Sequence, residues 1–149
     1  VQTIPWELSQ KKQKKQRKKP QTESKVWIQF KTAVKKLQPD WKLTRLETWS
    51  LPGVPDVLLL DHKATFQLVE LKYTRTNAVR VSPHQVSFLS NHADGLVWLL
   101  VKKDPISAAA QYYLYRGKSV MDVAMEGLTV EPYFLGDTME AIIELLATH

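Results

Sequence analysis

The sequence predicts an α/β domain in which a mixed central β-sheet is flanked by helices on both faces. Three observations predict it. A helical apolar spacing runs through residues 23–38. Two β-type runs, Val57–Leu60 and Phe66–Tyr73, meet across the turn-like Asp61-His62-Lys63-Ala64. Helical and extended stretches then alternate to the end of the chain. At 149 residues the chain can hold one domain with a real core.

Taken in order, Thr22 caps a helix over about 23–38. Trp27, Phe30, Val34 and Leu37 share one face of it, and Lys25, Lys31, Lys35 and Lys36 lie largely off that face. Glu23 falls on the same apolar stripe, where a carboxylate needs a reason. One reason is plain, since an acid in the first turn favours the helix dipole. Gln38-Pro39-Asp40 breaks the helix, Trp41–Trp49 reads as a strand, and Ser50–Pro55 as a loop. A hairpin centred on Lys63 sets Leu60 opposite Phe66, Leu58 opposite Leu68 and Asp56 opposite Glu70. One of its faces carries Leu58, Leu60, Phe66 and Leu68, the other Val57, Leu59, Val69 and Leu71, so both are expected to be covered. Ser82-Pro83 opens a helix to about Asn91. Leu96–Val101 and Tyr112–Tyr115 follow as strands, Val120–Met125 as a helix, Thr129–Phe134 as an extended piece and Thr138–Ala147 as a helix.

Composition excludes several classes. The absence of Cys removes disulfides and thiolate metal sites, and His62, His84, His92 and His149 show no paired metal spacing. No apolar run approaches the length of a membrane span, and the first residues carry no secretory pattern. An intracellular setting is expected: cytoplasm or nucleoid, or the host cell if the gene is phage-borne.

Charge divides the chain. Residues 1–20 hold seven Lys or Arg and a single acid, a basic and flexible arm with Lys11, Lys12, Lys14, Lys15, Arg17, Lys18 and Lys19 at its centre. Residues 21–149 form the folded domain. Within it, 21–119 carry +6 and the acidic segment 120–149 carries −6. A polyanion is drawn to the arm and to the first part of the domain, with the acidic end facing away. Arg75 and Arg80 flank a stretch, Thr74–Val81, that reads as a mobile loop, and they are candidate phosphate contacts.

The chemistry sits on the hairpin. Directly opposite residues have Cβ atoms about 4.5–5.5 Å apart. Asp56 and Glu70 can therefore share one hard cation, because Mg²⁺–oxygen bonds are about 2.0–2.1 Å long. Side chains alternate, so Lys72 points the same way as Glu70. Two acids and an amine on one face are what metal-assisted phosphodiester hydrolysis requires. Glu47 is a competing acid, read as a rim residue. The bland alternative for Gln85 is that Ser82 and Gln85 form a capping box.

At Gly53-Val54-Pro55-Asp56, Glu70-Leu71-Lys72 and Ser82-Pro83-His84-Gln85 the chain resembles PD-(D/E)XK nucleases, and within them the VRR-NUC and archaeal Holliday-junction-resolvase branch. The resemblance spans roughly Thr22 to Tyr115. It implies a restriction-endonuclease-like fold, with Asp56, Glu70 and the backbone carbonyl of Leu71 as metal ligands. It implies that Glu23 binds the metal directly or through water. Lys72 would orient or help activate the attacking water, or steady the developing charge, and Gln85 would support Lys72 or a metal-bound water. The implied cofactor is Mg²⁺, with Mn²⁺ as a substitute. The implied activity is a DNA endonuclease acting on branched DNA, Holliday junctions first, as a homodimer. Trp98–Val101 or the C-terminal helix would supply the apolar dimer surface. Flap, sequence-specific or RNA-processing nucleases, and a binding module that does not cut, remain the alternatives.

Overall fold

A computed structural model describes residues 21–47 and 51–149. The basic arm, Trp49 and Ser50 lie outside the described residues. The first helix, α1, spans Gln21–Leu37, and strand β1 spans Lys42–Arg45. β2 is Val57–Leu60, β3 is Phe66–Thr74, α2 is Pro83–Asn91, β4 is Val97–Lys103 and β5 is Gln111–Arg116. α3 spans Val120–Glu126, β6 spans Phe134–Gly136 and α4 spans Met139–Leu146. Short 3₁₀ turns at Gly117–Ser119 and Gly127–Thr129 flank α3.

The strands lie side by side in chain order, β1-β2-β3-β4-β5-β6. Among the described strands only β3 and β4 run parallel. A parallel pair cannot be joined by a tight turn, so α2 forms the crossover. The expected α/β architecture, a mixed sheet with helices on both faces, is the one observed.

Alternation along β3 divides the core. Val57, Leu59, Val69 and Leu71 face α1 and α4, where Val26, Phe30, Ala33, Val34, Met139, Ile142, Ile143 and Leu146 cover them. Leu99 and Val101 of β4 face the other way, under Leu89 of α2 and Val120 and Val123 of α3. The buried stripe of α1 is rotated from the expected one, because Val26 and Ala33 are small enough for close approach while Trp27 and Leu37 pack at its rim.

The hairpin register is the expected one: Leu60 pairs with Phe66, Leu58 with Leu68 and Val57 with Val69. Cover of the hairpin is complete on the Val57, Leu59, Val69 and Leu71 face and only partial on the other. α2 is a nine-residue helix whose Val86, Phe88 and Leu89 cluster with Leu68 of β3 and with Val97 and Leu99 of β4, a cluster that does not take in Phe66, Leu58 or Leu60. Phe66 is 62% exposed, and Leu58, Leu60 and Leu68 are half-buried. Trp98–Val101 and the apolar face of α4 are buried, so neither supplies a dimer surface as expected. Of the extended piece expected over Thr129–Phe134, Thr129 closes a 3₁₀ turn, Val130 has extended backbone, and strand pairing begins only at Phe134, the start of β6.

A buried polar knot closes the hairpin turn. Asp61 Oδ1 accepts from the backbone of Lys63 (2.8 Å) and Thr65 (3.1 Å), and Oδ2 accepts from Gln67 Nε2 (3.1 Å). Gln67 also donates to the Leu146 carbonyl (3.1 Å) and accepts from Trp98 Nε1 (2.9 Å). The turn, the sheet centre and α4 are thereby tied together. Burial pushes the Asp61 carboxyl up, but the donors from Gln67, Thr65 and Lys63 outweigh it and hold it below the ordinary 3.8. A carboxyl depressed in the folded state adds stability above the unfolded value, and that stability is lost as pH falls through the folded value. Asp61→Asn is therefore expected to lower stability at neutral pH and to flatten its decline in acid, measured by urea unfolding down to about pH 2. A variant as acid-sensitive as wild type would contradict this assignment.

Candidate active site

Asp56 ends the loop before β2, and Glu70 lies near the middle of β3. Continuing the observed register by one residue sets them opposite each other. They are tied reciprocally: the Asp56 N–H donates to Glu70 Oε2 (3.1 Å), and the Leu71 N–H donates to Asp56 Oδ2 (3.0 Å). The Asp56 carbonyl accepts from Leu46 N (2.7 Å), so the residue that follows β1 also holds it. Asp56 is 6% exposed and Glu70 2%. Two buried carboxylates side by side repel, and burying a charge is costly unless donors reach it. Backbone amides do so here.

Lys72, two residues beyond Glu70 on the same face, places Nζ 3.7 Å from Glu70 Oε1. From α2, Gln85 Nε2 donates to the same oxygen at 2.8 Å. Gln85 is also the third residue of a capping box. The Gln85 N–H donates to Ser82 Oγ (3.2 Å), and the Ser82 N–H donates to Gln85 Oε1 (3.0 Å). The structural and the site reading of Gln85 are thus both met by one side chain.

Beside this group opens a cavity of about 560 Å³, lined by Lys72, Val79, Arg80, Val81, Ser82, Gln85 and Ala124. Glu70 lies directly behind Lys72 and Gln85. Arg80 shares the cavity, whereas Arg75 does not line it: its Nε donates to Tyr73 Oη (3.3 Å), which in turn donates to Asp104 (3.0 Å).

The loop 74–81 is held, contrary to the mobile reading. Thr74 Oγ1 donates to the Ala78 carbonyl (2.8 Å), and the Asn77 carbonyl accepts from Leu128 N (2.8 Å). Lys103 Nζ donates to Asn77 Oδ1 (2.6 Å), and Val79 is buried. Gly127, at φ +68°, lets Asn77 approach, and a side chain there would meet the Asn77 carbonyl. The acidic segment does not simply face away, since α3 contributes Ala124 to the cavity wall.

Glu23 sits half-buried in the first turn of α1. α1 covers the odd-numbered face of β3, opposite the face that presents Glu70 and Lys72. Among the described residues no three His, Asp or Glu side chains form a group able to hold a metal ion, so Glu23 does not join the two acids. Glu47 is exposed and pairs with Arg45 at 3.9 Å, a rim residue as expected. Lys11, Lys12, Lys14, Lys15, Arg17, Lys18 and Lys19 lie outside the described residues.

The donors fit a hard divalent cation. Asp56 and Glu70 offer carboxylate oxygens, and Mg²⁺ is commonly held by one or two carboxylates with water and substrate phosphate completing its shell. A strand residue directs its N–H and carbonyl to the same neighbour. The Leu71 N–H meets Asp56, so the Leu71 carbonyl faces the same flank. With no Cys in the chain the set is oxygen-only.

No family model and no curated relative matches the chain. A solved structure of a Holliday junction resolvase from the archaeal hyperthermophile Archaeoglobus fulgidus is similar to it, at 18% identity and a TM-score of 0.40. The likeness covers 62% of this chain and 74% of that one. Among the described residues no helix is long and apolar enough to cross a membrane.

Sequence reasoning missed Ser82 and Ala124 as cavity walls. Ser82 was legible as a cap. Ala124 carried no signal, because its place depends on how α3 docks against α2.

Proposed function

We propose that the protein is a metal-dependent DNA endonuclease that hydrolyses phosphodiester bonds, with branched DNA, and Holliday junctions foremost, as its substrate. The observation that carries this is the reciprocal tie of Asp56 and Glu70 with the Lys72 ammonium 3.7 Å from Glu70. Paired acids and an amine beside an open cavity suit phosphoryl chemistry better than they suit a structural ion pair. The branched-DNA part rests on the motif resemblance around Asp56, Glu70-Leu71-Lys72 and Gln85.

In this reading Asp56, Glu70 and the Leu71 carbonyl hold Mg²⁺ or Mn²⁺. The ion supplies Lewis acidity and lowers the pKa of water. Lys72 brings three N–H donors and a positive charge to the cavity wall, aimed at charge that develops on the phosphate. Gln85 holds Glu70 Oε1. Arg80 offers a bidentate fork to a neighbouring phosphate. Residues 11–19 add sequence-independent attraction for the backbone.

Glu70→Ala is expected to abolish Mg²⁺-dependent nicking of a four-way junction while binding persists, and Lys72→Met to slow nicking by about 10²–10³-fold. Flap, linear, single-stranded and RNA substrates, assayed in parallel, separate the branched-DNA proposal from other nucleases. Metal-dependent cutting by clean Glu70→Ala protein would refute the site. Because paired acids repel when no cation lies between them, Mg²⁺ should raise the Tm of wild type and not of Asp56→Ala. Equal shifts in the two proteins count against the ion.

A second copy of the chain belongs to the same proposal. Among the described residues, Phe66 is exposed beside the half-buried Leu58, Leu60 and Leu68, on the face that also carries the site, and this apolar surface is the one we assign to the contact. Sedimentation should show a dimer that Phe66→Glu converts to monomer. A monomeric wild type at high concentration removes this part of the proposal.

A further inference from the structure

We propose that the capping box at the start of α2 is a positioning device for Glu70, with Ser82 acting through Gln85. The inference rests on the hydrolytic reading for its purpose, but its geometry stands without it.

An amide side chain has a donor end and an acceptor end of nearly equal shape. Against a carboxylate oxygen only the donor end is favourable. At Gln85 the helix start decides which end that is. The Ser82 N–H takes Gln85 Oε1 at 3.0 Å, and the opposite end, Nε2, is left aimed at Glu70 Oε1, 2.8 Å away. Pro83 has no N–H to compete for Oε1. Ser82 Oγ accepts from the Gln85 N–H at 3.2 Å and fixes the backbone from which the amide springs.

The choice of Gln over Glu carries further information. Either residue closes a capping box, and Glu would also favour the helix dipole. The first turn of α2 has no acid at all. A cap alone gives no reason for that, whereas a neighbouring carboxylate does. The loop of the other acid braces the same turn: Gly53, at φ +88°, packs so closely that a side chain would meet the His84 carbonyl and the Gln85 N–H. The cap therefore touches Glu70 through a side chain and the Asp56 loop through its backbone.

Gln85→Glu separates the two roles, since it keeps the cap and replaces the donor with a second carboxylate. In chelator its Tm should fall by about 4 °C or more below wild type. Added Mg²⁺ should raise its Tm by more than it raises that of wild type. The exchange variant Glu70→Gln with Gln85→Glu restores a donor–acceptor pair and should recover the Tm in chelator. Ser82→Ala should slow nicking about tenfold, and Ser82→Thr, which keeps the hydroxyl, should restore it. A Gln85→Glu protein as stable as wild type in chelator, or an exchange variant that recovers nothing, overturns the proposal. If wild type neither cleaves nor responds to Mg²⁺, the hydrolytic reading fails, and the Tm comparison in chelator still decides whether the cap holds Glu70.

Discussion

Two carboxylates side by side in a protein interior repel each other, and most of what surrounds the hairpin answers that constraint. Each acid is held by the main chain of the other's segment: Asp56 lends its N–H to Glu70, and the residue after Glu70 lends its N–H to Asp56. Hydrogen bonds to charged groups contribute about 1.5–3 kcal/mol each. Two of them, with Lys72 and Gln85 on the remaining side of Glu70, stabilise an arrangement that would otherwise drift apart. Because the donors are backbone, the spacing of the acids is as rigid as the hairpin itself.

That rigidity comes from the rest of the fold. The knot of Asp61, Gln67 and Trp98 fixes the turn end of the hairpin, and the tie of Asp56 to Glu70 fixes its open end. The parallel step from β3 to β4 forces a crossover, and the crossover helix begins where Gln85 meets Glu70. Asn77, gripped by Lys103 and by the turn before β6, holds the path between them and keeps Arg80 in the cavity with Lys72. Residues outside the candidate site thus determine where Asp56, Glu70, Lys72 and Gln85 stand.

Much of this was legible in the sequence. A hairpin centred on Lys63 gave the register that sets Asp56 opposite Glu70, and alternation along the strand put Lys72 on the same face. Ser82-Pro83 and Gln85 announced a helix start. Local periodicity says nothing, however, about how far a helix reaches across a sheet. Phe66, read as covered, is exposed because the cluster under α2 takes in Leu68 and stops there, and Trp98–Val101, read as a dimer surface, is buried because α1 and α4 pack on one side of it and α2 and α3 on the other. Glu23 fell on the right stripe of its helix, but the stripe faces the opposite side of the sheet. Thr74–Val81 looked mobile because its anchors, Lys103, Gly127 and Leu128, are distant in the chain.

The proposed chemistry needs a divalent ion between the two hairpin acids. Anomalous diffraction from crystals grown with Mn²⁺ locates such an ion directly. The expected result is a peak bonded to carboxylate oxygens of both Asp56 and Glu70, at about 2.0–2.2 Å. A peak elsewhere, or none at saturating Mn²⁺, would contradict it.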